Sequence, residues 1–130
     1  MSEGTVLVVD DNPTNLKLVS DVLEFDGYRV LKASDAEEAQ EIIKTSVPAL
    51  ILMDIALPGM DGLTLTRQLK EQPVTRHIVI VALTAFAMKG DDEKARLAGC
   101  DGYITKPIDT RKLPALVAGY LRRPLTGERA

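Results

Sequence analysis

The chain has 130 residues, of which 45% are hydrophobic and 27% charged, and its formal net charge is −3. This length and composition are typical of one globular domain with a sizeable core, and the acidic balance argues against a nucleic-acid-binding surface, which needs a basic stripe. A single cysteine excludes an internal disulfide, no apolar stretch approaches the ~20 residues that cross a bilayer, and no basic segment precedes an apolar run at the N-terminus, so we expect a cytoplasmic protein.

Short apolar runs alternate with helical patterns from the N-terminus onward. The run Thr5–Val9 is predicted to be a strand, and a helix follows it. Asn12 is the expected N-cap of that helix, with Pro13 at its first position and Gly27 at its end. A second strand is predicted at residues 28–31.

The next two elements carry clear local signals. Ser34, with Glu37 three residues later, predicts a capping box for the second helix. Residues 49–53 are apolar at every position and lead directly into Asp54. A strand of that kind is covered on both faces, which is typical of a parallel sheet. A third helix with regularly spaced leucines is expected after the Gly-rich turn that follows.

The second half of the chain repeats the alternation. Residues 78–83 form a fully apolar strand that ends at Thr84, and residues 87–98 are predicted to be helical. Gly99 fits the C′ position of this helix. The last strand is predicted at Gly102–Thr105.

Pro107 follows the last strand, and a final helix is predicted at about residues 109–122. Pro114 lies in its early part and predicts a late start or a kink. Residues 1–123 are therefore expected to form one domain, followed by a flexible tail at residues 124–130.

Five strand–helix units in succession predict an α/β fold. Parallel strands joined by right-handed crossovers give a doubly wound sandwich with helices on both faces. The flavodoxin-like strand order 2-1-3-4-5 is the common solution for five strands, and ligands of such sheets bind beyond the carboxyl ends of the strands.

Polar residues stand at these carboxyl ends. Asp10 and Asp11 follow the first strand, Asp54 the third, Thr84 ends the fourth and Lys106 follows the fifth. Three clustered carboxylates repel one another unless a cation joins them. Mg²⁺ suits such a site because it takes carboxylates, keeps several waters and accepts phosphate oxygens. An Asp carboxylate is also a known covalent phosphoryl acceptor.

Each of these residues also has an ordinary structural interpretation. Asp10 and Asp11 can serve as helix-capping residues, Asp54 as a loop carboxylate, and Lys106 as a surface residue. Their joint position at one edge of the sheet favours a phosphoryl-transfer site, in which metal, lysine and hydroxyl neutralise the charge that develops on the phosphoryl oxygens.

The segments VLVVDDNPTN, LILMDIALPGMDG, VALTAF and DGYITKPID resemble the CheY-like receiver domains of response regulators, over about residues 4–122. The stretch LTAFAMKGDDEKARLAGCDGYITKPI resembles the stand-alone DivK-type members. The resemblance implies a two-component signalling protein that takes a phosphoryl group on Asp54.

The resemblance also implies a metal site and its ligands. Asp11 is expected to ligate Mg²⁺ directly, Asp10 to act mainly through bound water, and Asp54 and the backbone carbonyl of Ala56 to complete the protein ligands. Lys106 is expected to pair with the phosphoryl oxygens.

Other positions are expected to carry the switch. The resemblance implies that Thr84 hydrogen-bonds to the phosphoryl group, that Tyr103 is a rotating aromatic, and that a cis peptide bond precedes Pro107. Ala56 and Phe86 are expected to set the lifetime of the phosphorylated state, because neither side chain can hydrogen-bond an attacking water.

The expected phosphoryl donor is a phosphohistidine on a histidine kinase or a phosphotransfer protein. By the same resemblance, the signal is expected to leave through the fourth helix, last strand and last helix, roughly residues 87–122. The protein is expected to be a monomer or weak dimer that catalyses only its own phosphorylation and dephosphorylation, without nucleic-acid or membrane partners.

Three rival interpretations stand beside this one. A haloacid-dehalogenase-type phosphatase needs a second Asp two residues after the nucleophile, where this chain has Ala56. A flavodoxin needs a phosphate-binding loop after the first strand, where DDNPTN is acidic. A receiver belonging to a larger hybrid kinase or multidomain regulator remains open.

Overall fold

The computed structural model describes residues 4–57, 59–84 and 91–121. Five strands alternate with five helices along this part of the chain. The strands are β1 (Thr5–Val9), β2 (Arg29–Ala33), β3 (Leu50–Asp54), β4 (Val79–Thr84) and β5 (Gly102–Thr105). The helices are α1 (Pro13–Phe25), α2 (Ala36–Thr45), α3 (Gly62–Glu71), α4 (Asp91–Ala98) and α5 (Leu113–Leu121).

All the strands pair in parallel, in the order β2-β1-β3-β4-β5. The predicted flavodoxin-like sheet is thereby confirmed. The chain moves from β1 outward to β2, then returns past β1 to β3, so the switch point lies between β1 and β3. Crevices beyond the carboxyl ends of strands at such a point bind ligands.

The central strands carry apolar residues on both faces, and two separate clusters result. On one face, Leu7 and Ile51 pack with residues of α2 and α3 such as Leu65. On the other, Val8 and Leu52 pack with residues of α1 and α5. Burying one such leucine contributes roughly 1.5–3 kcal/mol, so this two-sided burial fixes the register that aligns the strand ends.

The first helix follows the prediction closely. Asn12 is the N-cap of α1, and its side chain accepts a hydrogen bond from the N–H of Asn15. Pro13 occupies the first helical position, and Gly27 follows the helix with a φ of 99°. A positive φ of this size favours glycine.

The predicted capping box of α2 is wrong by one residue. Asp35, and not Ser34, is the N-cap, and its side chain accepts a hydrogen bond from the N–H of Glu38 at 2.8 Å. The carboxylate of Glu38, and not that of Glu37, reaches back to the N–H and hydroxyl of Ser34. The strand before this helix is longer than predicted and ends at Ala33, which moves the helix start along the chain.

The last helix starts late, as the sequence predicted. It begins at Leu113, and Pro114 is its second residue, where a missing N–H costs no helical hydrogen bond. Helix α4 ends at Ala98, and Gly99 follows with a φ of 108°. The predicted helical residues 87–90 and the tail at 124–130 lie outside the described residues. Within the described ranges, none of the helices has the length and apolar character needed to span a membrane.

Candidate phosphoryl-acceptor site

The carboxyl ends of the parallel strands bring five predicted residues to one edge of the sheet. Asp10 and Asp11 directly follow β1, and Asp54 is the last residue of β3. Thr84 is the last residue of β4, and Lys106 directly follows β5. Residues that are up to 96 positions apart in the chain thus share one end of the molecule.

Asp10, Asp11 and Asp54 form a compact carboxylate cluster. One carboxylate oxygen from each lies within 4.8 Å of the others. Asp10 is 1% exposed and Asp54 4% exposed, whereas Asp11 is open to solvent. The cluster therefore has a buried floor and one accessible side.

Lys106 joins the two buried carboxylates. Its Nζ lies 3.1 Å from Oδ2 of Asp54 and 3.3 Å from Oδ2 of Asp10. Partial burial lowers the pKa of Lys106, but the hydrogen bond and charge of Asp54, together with the negative charge of Asp10, more than offset this and leave the pKa raised. The lysine is therefore fully protonated at neutral pH.

The two buried carboxylates are held by backbone donors at their other oxygens. The N–H of Asn12 donates to Oδ1 of Asp10 at 2.9 Å. The N–H of Ala56 donates to Oδ1 of Asp54, also at 2.9 Å. Both Oδ2 atoms consequently face Lys106, and each carboxylate has a fixed orientation.

The cluster carries more negative charge than its partners neutralise. One ammonium and three carboxylates sum to −2, counting +1 from Lys106 and −3 from the acids. Burial is the main reason that the pKa of Asp10 is raised; the Asn12 N–H and Lys106 lower it, and Asp54 raises it further. Oδ2 of Asp10 accepts no hydrogen bond of acceptable geometry from the described residues.

These observations fit a bound divalent cation. The clustered carboxylate oxygens carry excess negative charge, and one buried oxygen accepts no hydrogen bond from the described residues. Oxygen ligands of this kind are those that a hard, oxygen-seeking cation prefers. The open side at Asp11 leaves room for water or another oxygen ligand. The acidic pocket can therefore hold a metal ion.

Residues 6–118 match the response regulator receiver domain family. The chain belongs to this family. It is 43% identical over 117 residues to the polar-differentiation response regulator DivK of Brucella anthropi, covering 90% of this chain and 95% of that protein. The receiver is thus a two-component response regulator domain similar to single-domain DivK regulators.

Solved receivers have the same fold. A response regulator from Chloroflexus aurantiacus superposes with a TM-score of 0.88 at 33% identity, over 92% of this chain and 98% of that one. The beryllofluoride-activated receiver domain of DrrB gives a TM-score of 0.84 at 28% identity, over 95% of this chain and 100% of that one. The similarity thus extends over nearly the whole length of both structures.

The remaining predicted positions of the receiver lie around the cluster. Thr84 is 3% exposed, and its backbone carbonyl accepts a hydrogen bond from the N–H of Lys106 at 2.7 Å. Tyr103 is 44% exposed on β5, so its ring is turned toward solvent. The bond between Lys106 and Pro107 is cis, as predicted. Phe86 lies outside the described residues.

Sequence reasoning missed two supporting residues. The backbone N–H of Asn12 orients Asp10, although the sequence indicated Asn12 only as a cap. Gly62, the first residue of α3, is buried so tightly that an added Cβ would meet the backbone carbonyl of Asp54 and lie 2.9 Å from Cγ of Met53. Gly62 belongs to the Gly-rich turn that the sequence predicted after Asp54, but its contact with Asp54 depends on tertiary packing.

Proposed function

We propose that this receiver accepts a phosphoryl group on Asp54 from a phosphohistidine of a histidine kinase or a phosphotransfer protein, with Mg²⁺ bound. The observation that carries the proposal is the position of Asp54, which is buried within 4.8 Å of two other carboxylates, with Lys106 at 3.1 Å. A carboxylate in this setting is oriented and next to a cation, and a carboxylate oxygen can act as a nucleophile without a separate base.

Asp10, Asp11 and Asp54, with the backbone carbonyl of Ala56, would hold the metal. When bound, Mg²⁺ neutralises the charge on the phosphoryl oxygens during transfer. The excess negative charge of the cluster supports this assignment, as does Oδ2 of Asp10, which accepts no hydrogen bond from the described residues.

In the proposed reaction, an oxygen of Asp54 forms a bond to phosphorus while the bond from phosphorus to the donor imidazole nitrogen breaks. The electron pair of that bond stays on the imidazole. Lys106 Nζ, now 3.1 Å from Asp54, is in reach of the incoming phosphoryl oxygens and stabilises their charge. Its raised pKa keeps this ammonium charged throughout.

Signalling then follows from a small change in charge. A phosphoryl group at roughly −2 replaces a carboxylate at −1, so the formal change is about one unit. The hydroxyl of Thr84 is proposed to move to the phosphoryl oxygens, and Tyr103 to turn inward from its present exposed position. The two states must lie within a few kcal/mol of each other for such a change to switch them.

The lifetime of the phosphorylated state is proposed to depend on Ala56 and Phe86. Neither side chain offers a hydrogen bond to an attacking water, so autodephosphorylation is expected to be slow. Placing Asn at 56 and Glu at 86, and timing the release of phosphate, tests this. Unchanged release from the double variant contradicts it.

The output surface is proposed to be the face of α4, β5 and α5. Exposed apolar side chains on these elements, Leu97 at 69%, Tyr103 at 44% and Leu116 at 41%, support a protein contact there.

The receiver is proposed to act in the cytoplasm as a monomer or weak dimer, to turn over no separate substrate, and to form one domain over residues 1–123. A receiver that is one module of a larger hybrid kinase or regulator is not better supported.

The test is to add acetyl phosphate or beryllofluoride with Mg²⁺ and to compare the wild type with Asp54→Asn. Acetyl phosphate should add the mass of one phosphoryl group to the wild type and none to the variant. Equal labelling of the two proteins would show that Asp54 is not the acceptor. Asp35→Asn, which changes the partly exposed capping carboxylate of α2 in the same way, is the matched control and should label normally.

A further inference from the structure

Helix α3 connects the acceptor residue to a distant corner of the sheet. Its first residue, Gly62, packs without a gap against the backbone carbonyl of Asp54. Its last turn carries Lys70, whose side chain is 20% exposed. A ten-residue helix packed in this way moves as a unit, so a constraint on Lys70 also restrains the backbone next to Asp54.

The ammonium of Lys70 has three hydrogen-bond acceptors. It donates to the carbonyl of Arg76 at 3.2 Å, to the carbonyl of Ile78 at 2.7 Å and to Oδ2 of Asp101 at 3.0 Å. Its aliphatic stem lies against Gly99, where an added Cβ would come within 2.9 Å of Cγ of Lys70. One side chain therefore joins the end of α3, the start of β4 and the end of α4.

Asp101 completes the connection at the start of β5. Its Oδ2 also accepts a hydrogen bond from the N–H of Ile80 at 2.8 Å, and its own N–H donates to the carbonyl of Ile80 at 2.7 Å. The aspartate thus fixes the chain to β4 immediately before Gly102, where β5 begins. Tyr103, the proposed switch residue, lies two positions after it.

We infer that Lys70 is a positioning residue, which together with Asp101 clamps the end of α3 to the start of β5 and holds the receiver in its resting arrangement. The clamp restrains the helix that packs on Asp54 and the strand that carries Tyr103. The inference rests on the proposed function, because it concerns the cost of switching at that site.

If the clamp favours the resting state, part of the free energy of phosphoryl binding is needed to disrupt the contacts of the clamp. Removing the clamp should then raise the population that is competent for activation, and the apparent affinity for a phosphoryl mimic should rise with it. Coupling between sites in one domain commonly changes affinity about fivefold or more, so a change of about fivefold is expected.

The experiment measures beryllofluoride affinity in saturating Mg²⁺ for the wild type, Lys70→Met and Asp101→Asn. Met retains an apolar stem over Gly99, and Asn retains an oxygen for the N–H of Ile80. The two substitutions change the net charge in opposite directions. Lys44→Met, which removes an exposed lysine paired with Glu41 on α2, is the charge-matched control for Lys70→Met.

Tighter binding by about fivefold in both clamp variants, with Lys44→Met unchanged, supports the inference. Shifts of opposite sign indicate a general effect of charge and overturn it, as do unchanged or weaker affinities. A wild type that binds no beryllofluoride refutes the proposed function instead. The clamp is then judged by amide hydrogen exchange at Ile80 and Asp101, which should be faster in Lys70→Met than in Lys44→Met; equal rates overturn it.

Discussion

The carboxylate of Asp10 is expected to favour metal binding but to lower the stability of the metal-free fold. Replacing it with Asn keeps an oxygen for the N–H of Asn12, which now bonds Oδ1 at 2.9 Å. The substitution removes a negative charge from a site where the carboxylate is 1% exposed. We expect the metal-free variant to be more stable than the metal-free wild type.

The magnitude follows from the charges around Asp10. The attraction of Lys106 at 3.3 Å is about 5 kcal/mol at an effective dielectric constant of ~20. Repulsion from Asp54, within 4.8 Å, is about 3.5 kcal/mol, and exposed Asp11 adds a smaller, screened share. The attraction exceeds the repulsion by only about 1.5 kcal/mol, which Asp11 reduces further. Burying the carboxylate costs several kcal/mol, so removing its charge should leave a net gain of about 2 kcal/mol.

The pH dependence has a defined sign. The pKa of Asp10 is raised above its usual 3.8, chiefly by burial, so the folded state binds this proton more tightly than the unfolded state does. Its contribution to stability is therefore present below pH 3.8 and is lost as pH rises through the raised native pKa. The difference in stability between Asp10→Asn and the wild type should grow with pH across that window and then level off.

The assay is urea unfolding of both proteins with a chelator and again with Mg²⁺. A ligand at ten times its dissociation constant stabilises the folded state by about 1.4 kcal/mol. Mg²⁺ should stabilise the wild type by at least this amount and Asp10→Asn by much less. A metal-free variant no more stable than the wild type, or equal stabilisation of both proteins by Mg²⁺, would refute the reasoning.

Three further predictions concern residues near or beyond the site. Ser20 is fully buried in α1, and its hydroxyl has no hydrogen-bond partner among the described residues; Ser20→Ala should therefore raise the free energy of unfolding by about 1 kcal/mol in urea. Gly62→Ala should lower it by about 3 kcal/mol, because its methyl group would meet the carbonyl of Asp54. Burial raises the pKa of Cys100 from 9.0 to about 11, so its alkylation at pH 8 should be about a hundredfold slower than that of an unperturbed thiol; comparable rates would contradict this.

The sequence predicted both the parallel sheet and the edge of the sheet at which the candidate site lies, for the same physical reason. Strands that are apolar at every position, such as those leading to Asp54 and Thr84, must be covered on both faces, and parallel sheets then place their carboxyl ends together. The convergence of Asp10, Asp54 and Lys106 follows from topology alone. Their mutual distances confirm the convergence, while their chemical roles remain proposals.

The predicted start of the second helix was wrong by one residue because two adjacent residues can serve as its N-cap. Ser34 and Asp35 are both good N-caps, and the choice between them depends on where β2 stops. That strand continues to Ala33 because its last residue pairs with Val9 of β1. Such long-range pairing is not contained in the local pattern around the cap.

The clamp between Lys70 and Asp101 was not predictable from the sequence either. The two residues are 31 positions apart, and although Asp101 begins the segment DGYITKPID, no local pattern indicates that Lys70 is its partner. Their contact depends on the packing of α3 against α4 and on the absence of a Cβ at Gly99, which leaves room for the stem of Lys70. The contact of Gly62 with Asp54 has the same origin in tertiary packing.

The central claim is that Asp54, and no neighbouring carboxylate, receives the phosphoryl group. The most direct measurement is to phosphorylate the wild type in Mg²⁺, reduce the acyl phosphate with borohydride, and map the reduced residue by peptide mass spectrometry. Reduction at Asp54 alone, abolished when Mg²⁺ is chelated, is the predicted result. Reduction at Asp10 or Asp11, or labelling that persists without the metal, would contradict the account.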